Sequence, residues 1–249
     1  MPGAAGEPEC HAGDTALLTI DLGALAANYR HLCDLAGAAE CAAVVKADAY
    51  GLGMDEAAPA LWRAGCRTFF VATLSEARSL RALLPDAVIY VFAGLMPGTA
   101  EAYLRHHLRP VLNSAAEIRE WAAFGASIGQ AFACAVHIDS GMNRLGLSAD
   151  EVEDVAGTND LWSALKLALV MSHLACASDV KSEFNATQLK RFVDAATLFP
   201  KAPRSLASTG GVLIGPDYHF DLVRPGIGLY GSGGLDADNP PLAATATVE

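Results

Sequence analysis

Eight short apolar runs alternate with helical patterns along the chain, and this alternation constrains the fold more than any other feature. The runs are AAVVKA (42–47), TFFVAT (68–73), AVIYVFA (87–93), LRPVLN (108–113), ACAVHID (133–139), KLALVMSH (166–173), RSLAST (204–209) and FDLVRPGI (220–227). Near-continuous apolar runs belong to strands buried on both faces, as in parallel sheets covered by helices. Eight is the number that a closed parallel barrel requires. Periodicity alone does not separate such a barrel from a doubly wound sheet, but unbroken strand-helix alternation favours an α/β fold of the (β/α)8 TIM-barrel type. A chain of 249 residues, 52% of them hydrophobic, can bury one large core, so one main domain is the default.

The connections read as helices. Asp21 stands before a helix whose apolar positions Leu22, Leu25, Ala26, Tyr29 and Leu32 follow helical spacing up to Gly37. Ser114 with Glu117, Ser148 with Glu151 and Asn185 with Gln188 each place a polar residue three positions before a Glu or Gln, which predicts three helix starts. Residues 1–15 are acidic and rich in Gly and Pro, a flexible tail, and the barrel is expected over 16–232. From Ser232 the sequence runs SGGLDADNPPLAATATVE, a linker over 233–249 that enters a strand. That strand either wraps back on the barrel or begins a second domain.

Bulk properties exclude several function classes. A net charge of -11, with seventeen basic residues that form no run, argues against nucleic acid and anionic membrane surfaces as partners. No apolar run is long enough to cross a bilayer. Cys10, Cys33, Cys41, Cys66, Cys134 and Cys176 show no C-x-x-C spacing, which fits free thiols in a reducing, cytoplasmic compartment. Cys10 beside His11 is too little for a metal site, so no metal is expected. The expected partner is a small molecule.

Polar residues then recur where the apolar runs end. Lys46 closes the first run, where partial desolvation favours an amine's nucleophilic form. HIDSGMNRLG brings Asp139, Met142, Asn143 and Arg144 after the fifth, MSHLACASD brings His173 and Asp179 after the sixth, and SLASTGG brings Ser208 and Thr209 after the seventh. DLVRPGIGLYG brings Arg224, Gly226 and Ile227 after the eighth. Taken singly, His173 reads as a hydrogen-bonded core residue, Arg224 as an ion-pair partner and Asp139 as a turn cap. Together they would ring one mouth of a barrel. GIGLYG (226–231) has the spacing of a dinucleotide fingerprint, yet no helical pattern follows it. Exposed N–H groups and hydroxyls there suit a single phosphate instead. An imine-forming lysine, a phosphate site and an arginine near the last strand specify pyridoxal 5'-phosphate chemistry.

VVKADAYGLG, HIDSGMNRLG and DLVRPGIGLYG resemble the cofactor-lysine motif, the arginine-bearing loop and the closing signature of the alanine racemase family. The resemblance is to the N-terminal barrel domain and covers the chain from about Ala16 to Glu249. It implies that Lys46 holds pyridoxal 5'-phosphate covalently and serves as the base acting on D-alanine. It places Arg224 against the pyridine nitrogen, with His173 as the partner that orients it. Tyr50, Thr209, Gly226 and Ile227 match phosphate-binding positions and Ser208 a neighbouring one. Arg144 matches the residue near the cofactor hydroxyl and the substrate carboxylate. The implied catalytic set is therefore Lys46, Arg144, His173 and Arg224, interconverting L- and D-alanine as in D-alanine biosynthesis for the cell wall.

The sequence departs from the family pattern in places. His137 stands where a lysine that supports the loop arginine is frequent, and Ser208 where asparagine is usual. The family's second, mostly β domain supplies a catalytic tyrosine across a homodimer interface, and the sequence holds no counterpart after Glu249. The barrel is accordingly expected to be weak or inactive without it. The alternative is a non-catalytic, single-domain pyridoxal phosphate-binding protein of cofactor homeostasis.

Overall fold

The computed structural model of the chain describes residues 16–232 and 242–248. The tail expected over 1–15 and the linker from 233 to 241 lie outside the described residues. An entry strand, β1 (Leu18–Ile20), leads to Asp21, whose carboxylate accepts from the Ala24 N–H at 2.9 Å and starts the Leu22–Ala36 helix. Gly37, at φ 65°, ends it, because only glycine enters that region without steric cost.

The barrel begins with β2 (Glu40–Cys41) and β3 (Ala43–Val44), one extended run interrupted only at Ala42. It continues through β4 (Thr68–Val71), β5 (Val88–Val91), β6 (Arg109–Leu112), β7 (Ala133–His137), β8 (Lys166–Met171) and β9 (Arg204–Ser205) as a parallel sheet in that order. The last strand, β10 (Leu222–Val223), pairs in parallel with β2. It reaches β9 through Asp221 N–H to the Arg204 carbonyl at 3.1 Å and Arg224 N–H to the Ala207 carbonyl at 2.8 Å. The ring of eight parallel strands is thus closed, as the eight apolar runs predict.

Two apolar layers fill the structure. Inside the ring lie Ala42, Val44, Phe70, Tyr90, Val111, Ala135, Leu169, Met171 and Leu222. Phe70 stacks on Tyr90 at 4.8 Å and on Phe92 at 5.1 Å between ring centroids, so the interior is a packed aromatic floor. The opposite faces of the strands pack against helices through residues such as Phe69, Ile89, Leu112 and Trp121. Strands buried on both faces explain why the runs are continuous instead of alternating.

Two of the three expected helix starts are where the pattern puts them. Ser114 caps the Ala115–Ser127 helix and Ser148 forms a full capping box with Glu151. The third is a correction: the helix is Glu183–Ala196, and Asn185 and Gln188 lie inside it, both buried. Their side chains bond the preceding loop, Asn185 to the Cys176 and Asp179 carbonyls and Gln188 to Ala175 and His173. Tertiary partners outbid the local cap that the spacing suggests.

Past the barrel, the chain wraps back. β11 (Ala246–Val248) pairs antiparallel with β1. Buried Asn28 pins this segment: its amide donates to the Leu229 carbonyl at 3.1 Å and the Ala243 carbonyl at 2.9 Å, while its oxygen accepts from Ala243 N–H at 2.8 Å. Asn28→Ala leaves these backbone groups without partners and is expected to cost about 3 kcal/mol, at roughly 1 kcal/mol for each of the three hydrogen bonds. Urea unfolding would show it as a lowered midpoint; an unchanged midpoint would mean that the segment holds without Asn28.

Candidate active site

Inward-facing positions recur at every second residue of a barrel strand. Continuing that parity past the floor, Val44 leads to Lys46, Ala135 to His137, Met171 to His173 and Leu222 to Arg224. These four side chains line one cavity of about 780 Å³ at the C-terminal ends of the strands. That is where a parallel barrel offers its loops to a ligand.

Lys46 emerges half-buried, its Nζ 5.9 Å from the Phe92 ring centroid and 6.0 Å from that of Tyr50. The chain then does something unusual. Ala47, Asp48, Ala49 and Tyr50 all hold φ between 51° and 59°, one turn of left-handed helix that costs L-residues about 1–2 kcal/mol each. Its partners hold it in place. Glu76 accepts from Ala47 N–H at 2.8 Å while bonding Ala72 N–H at 2.7 Å, Asp48 accepts from Met54 N–H at 2.7 Å, and Gly51 N–H closes on the Ala47 carbonyl at 2.8 Å. The turn projects Lys46 inward and Tyr50 toward β10, where its ring meets Tyr230 at 4.8 Å.

Arg224 is 2% exposed, and none of the ion pairs among the described residues includes it. Its guanidinium donates to the Ser205 hydroxyl and, at 2.7 Å, to the Ser172 carbonyl, with Cζ 5.9 Å from the Phe70 ring centroid. Burial pushes its pKa down to about 9, which leaves it cationic at neutral pH. A buried cation without a counter-ion is costly unless a ligand supplies electron density. His173, expected to orient it, is not among its hydrogen-bond partners; Ser205 and Ser172 hold that place.

Both cavity imidazoles stay neutral. Burial, followed by the Arg224 charge, pushes His137 and His173 down to about 3. Asn113 donates its amide to the Phe92 and Val111 carbonyls, so its oxygen accepts from His137 Nδ1 at 2.9 Å. That assignment leaves His137 Nε2 unprotonated, an acceptor in a ring that lines the cavity. The single N–H that His137 can donate is therefore spent on Asn113, away from the Arg144 loop.

At the far wall, the Thr209 hydroxyl accepts from Gly226 N–H at 3.2 Å and Gly228 N–H at 3.0 Å, folding the turn after β10 against the Ser208–Thr209 turn. A Cβ at Gly226 would run into the Tyr50 hydroxyl, and one at Gly228 would lie 2.6 Å from Thr209 Cγ2. Glycine is required at both by close approach. Ser208, Thr209, Gly226, Ile227, Tyr50 and, on an exposed loop, Arg144 all line the cavity, as does Met142. Asp139, Asn143 and Asp179 do not: Asp139 accepts from the Gly141, Met142 and Asn143 N–H groups and caps its loop. Asn113, Ser172 and Ser205 escaped the sequence reading, since single small polar residues inside apolar runs carry no spacing signal. Inward parity was the available clue for Asn113 and Ser205, whereas Ser172, between inward-facing Met171 and His173, serves Arg224 through its backbone carbonyl.

A family model described as the N-terminal domain of alanine racemase matches residues 20–233. Alanine racemases of Methylobacterium sp. and Rhizobium meliloti are 50% and 46% identical over 94% and 93% of the chain. The chain spans 65% and 61% of their own lengths. Among solved structures, alanine racemase from Bartonella henselae with covalently bound pyridoxal phosphate superposes with a TM-score of 0.91 at 38% identity, over 94% of this chain and 66% of that one. The biosynthetic alanine racemase of Pseudomonas aeruginosa does so at 0.83 and 31%, over 94% of this chain and 65% of that one. A match over most of the chain, with the eight-stranded ring and its cavity in place, places this chain in the alanine racemase family as an N-terminal domain.

Proposed function

We propose that this chain is the pyridoxal 5'-phosphate-binding barrel of an alanine racemase, with residues 16–232 as the cofactor domain and the segment after 233 as the lead into a further β domain. One observation carries this reading: Lys46 and the unpaired, buried cation Arg224 face the same cavity across an aromatic floor. The residues present fit the cofactor. Arg224 lacks any carboxylate and therefore accommodates a pyridine nitrogen lone pair in its place. The Thr209 hydroxyl, which accepts from both the Gly226 and Gly228 N–H groups, keeps its own proton for a phosphate at the cavity wall.

Bound there, pyridoxal phosphate supplies an aldehyde carbon that bonds to amines and a ring that withdraws electrons from an amino acid's α-carbon. Lys46 Nζ would hold the cofactor and, with its amine free and neutral, would serve as the base that takes or returns the substrate's α-proton on one face. Arg224, cationic and fixed by two hydrogen bonds, opposes protonation of the ring nitrogen and so limits how far the ring withdraws charge. This favours racemisation over competing reactions. Tyr50, Ser208, Thr209, Gly226 and Ile227 would hold the phosphate, and Arg144 would meet the substrate carboxylate. His137 and His173 stay uncharged beside Arg224, so the cavity keeps one deep cation. Alanine is the proposed substrate, and the relatives' additional length supplies the second base in a dimer.

Added pyridoxal phosphate is expected to give the protein a visible absorption band, and borohydride reduction to fix the label on Lys46. Lys46→Ala should lose both, read by spectroscopy and peptide mass. A label on another lysine would remove the assignment. Joining the chain to a relative's remaining length should yield D/L-alanine interconversion that Lys46→Ala abolishes.

The neutral imidazoles also set an acid limit. Below about 6.5 the unfolded chain binds protons at His137 and His173, while the folded protein resists until about 3. Stability therefore falls as pH drops through that window and is indifferent to these groups above it. Unfolding free energies measured by urea at a series of pH values should show a shallower slope between pH 6.5 and 3 in His137→Gln than in the parent; equal slopes would contradict the buried neutral state.

A further inference from the structure

Gln188 is fully buried on the outer Glu183–Ala196 helix, away from the cavity, with its oxygen and its amide nitrogen both engaged. Its oxygen accepts from Ala175 N–H at 2.8 Å, and its amide donates to the His173 carbonyl at 3.1 Å and to Ser140 Oγ at 3.3 Å. The amide orientation is fixed, since Ala175 N–H can only donate. Ser140, having accepted from Gln188, has its own proton free for Ser172 Oγ at 2.7 Å. Ser172 in turn presents its carbonyl to Arg224 Nη2 and its N–H to the Ser205 carbonyl at 3.0 Å. Ser205 Oγ takes the other arm of Arg224 and donates to the Leu222 carbonyl at 2.5 Å. All four of Gln188, Ser140, Ser172 and Ser205 are buried.

We propose that Gln188 is a positioning residue for the cofactor: through Ser140, Ser172 and the 173–175 backbone it sets the direction in which Arg224 addresses the ring nitrogen. The inference rests on the cofactor reading given above. Three strand ends, those of β7, β8 and β10, are coupled by this one amide. Without it the 173–175 stretch loses its bonds to the helical layer, and Asn185 anchors only the far end of the loop, at the Cys176 and Asp179 carbonyls. Arg224 then has one fixed partner, Ser205, and its fork is free to swing about it. A cation no longer pressed on the ring nitrogen stops opposing protonation there.

The test uses Gln188→Leu, which keeps most of the volume and removes all three bonds. The parent's visible band with pyridoxal phosphate is expected to be constant over roughly pH 6–9, because the fixed cation suppresses ring protonation. Gln188→Leu should acquire a pH-dependent band in that range and bind the cofactor about threefold to tenfold more weakly. In an Arg224→Gln background the same substitution should change neither quantity further, because residues acting through one group are non-additive. A purely structural role would lower thermal stability and leave the band's pH dependence as in the parent, and that result overturns the proposal. Should Gln188→Leu fail to fold, Ser140→Ala, which deletes one hydroxyl of the relay, carries the same test, and an unchanged titration overturns it equally. A parent protein that binds no pyridoxal phosphate would instead bring down the cofactor reading itself.

Discussion

Ring closure between β10 and β2 is the constraint on which the rest depends. Glu40 N–H bonds the Asp221 carbonyl at 2.9 Å, Ala42 N–H the Val223 carbonyl at 2.9 Å and Val44 N–H the Pro225 carbonyl at 3.0 Å. These three bonds bring the beginning and the end of the barrel into register. Because side chains alternate along a strand, that register decides that Lys46 and Arg224 point into the same space. A slip of one residue would send one of them outward. The aromatic floor of Phe70, Tyr90 and Phe92 supports the arrangement from below.

The second organising element is an unbalanced charge. Among the described residues Arg224 is held by a hydroxyl and a carbonyl and by no carboxylate, so it carries an electrostatic demand that they leave unmet. The neutral histidines follow from burial first and then from this fixed cation, which disfavours further positive charge around it. Binding of an electron-rich heterocycle and stabilisation of the fold are then coupled, as ligand binding to the native state alone always is.

Much of this was legible in the sequence because the two layers of the barrel impose two different signals. Burial on both faces writes continuous apolar runs, and all eight are strands; functional residues at strand ends interrupt those runs, which is how Lys46, His173 and Arg224 stand out. The motifs that resemble the family contain Lys46 and Arg224. The supporting groups were harder to see. Ser172 and Ser205 lie within runs and look like ordinary small residues, and Asn113 reads as the end of a strand. Gln188 and Asn185 satisfied a helix-start pattern and were misplaced for that reason: local spacing describes what a residue can do for its own backbone, whereas these two serve a loop that precedes their helix. The orienting partner of Arg224 failed similarly, because proximity to His173 was inferred while the hydrogen bonds went to serines.

The left-handed turn after Lys46 has a consequence for sequence tolerance. At most surface loops, exchange of one small residue for a larger one passes unnoticed. Along 47–50 the ranking inverts. Valine or isoleucine at Ala47 or Ala49 would meet a backbone shape that β-branched side chains do not enter, while glycine would relax the turn and let the neighbouring lysine wander. The run Ala-Asp-Ala is thus a compromise between relief and aim, and variation at this spot is confined to residues small enough to coil the wrong way yet stiff enough to stay there.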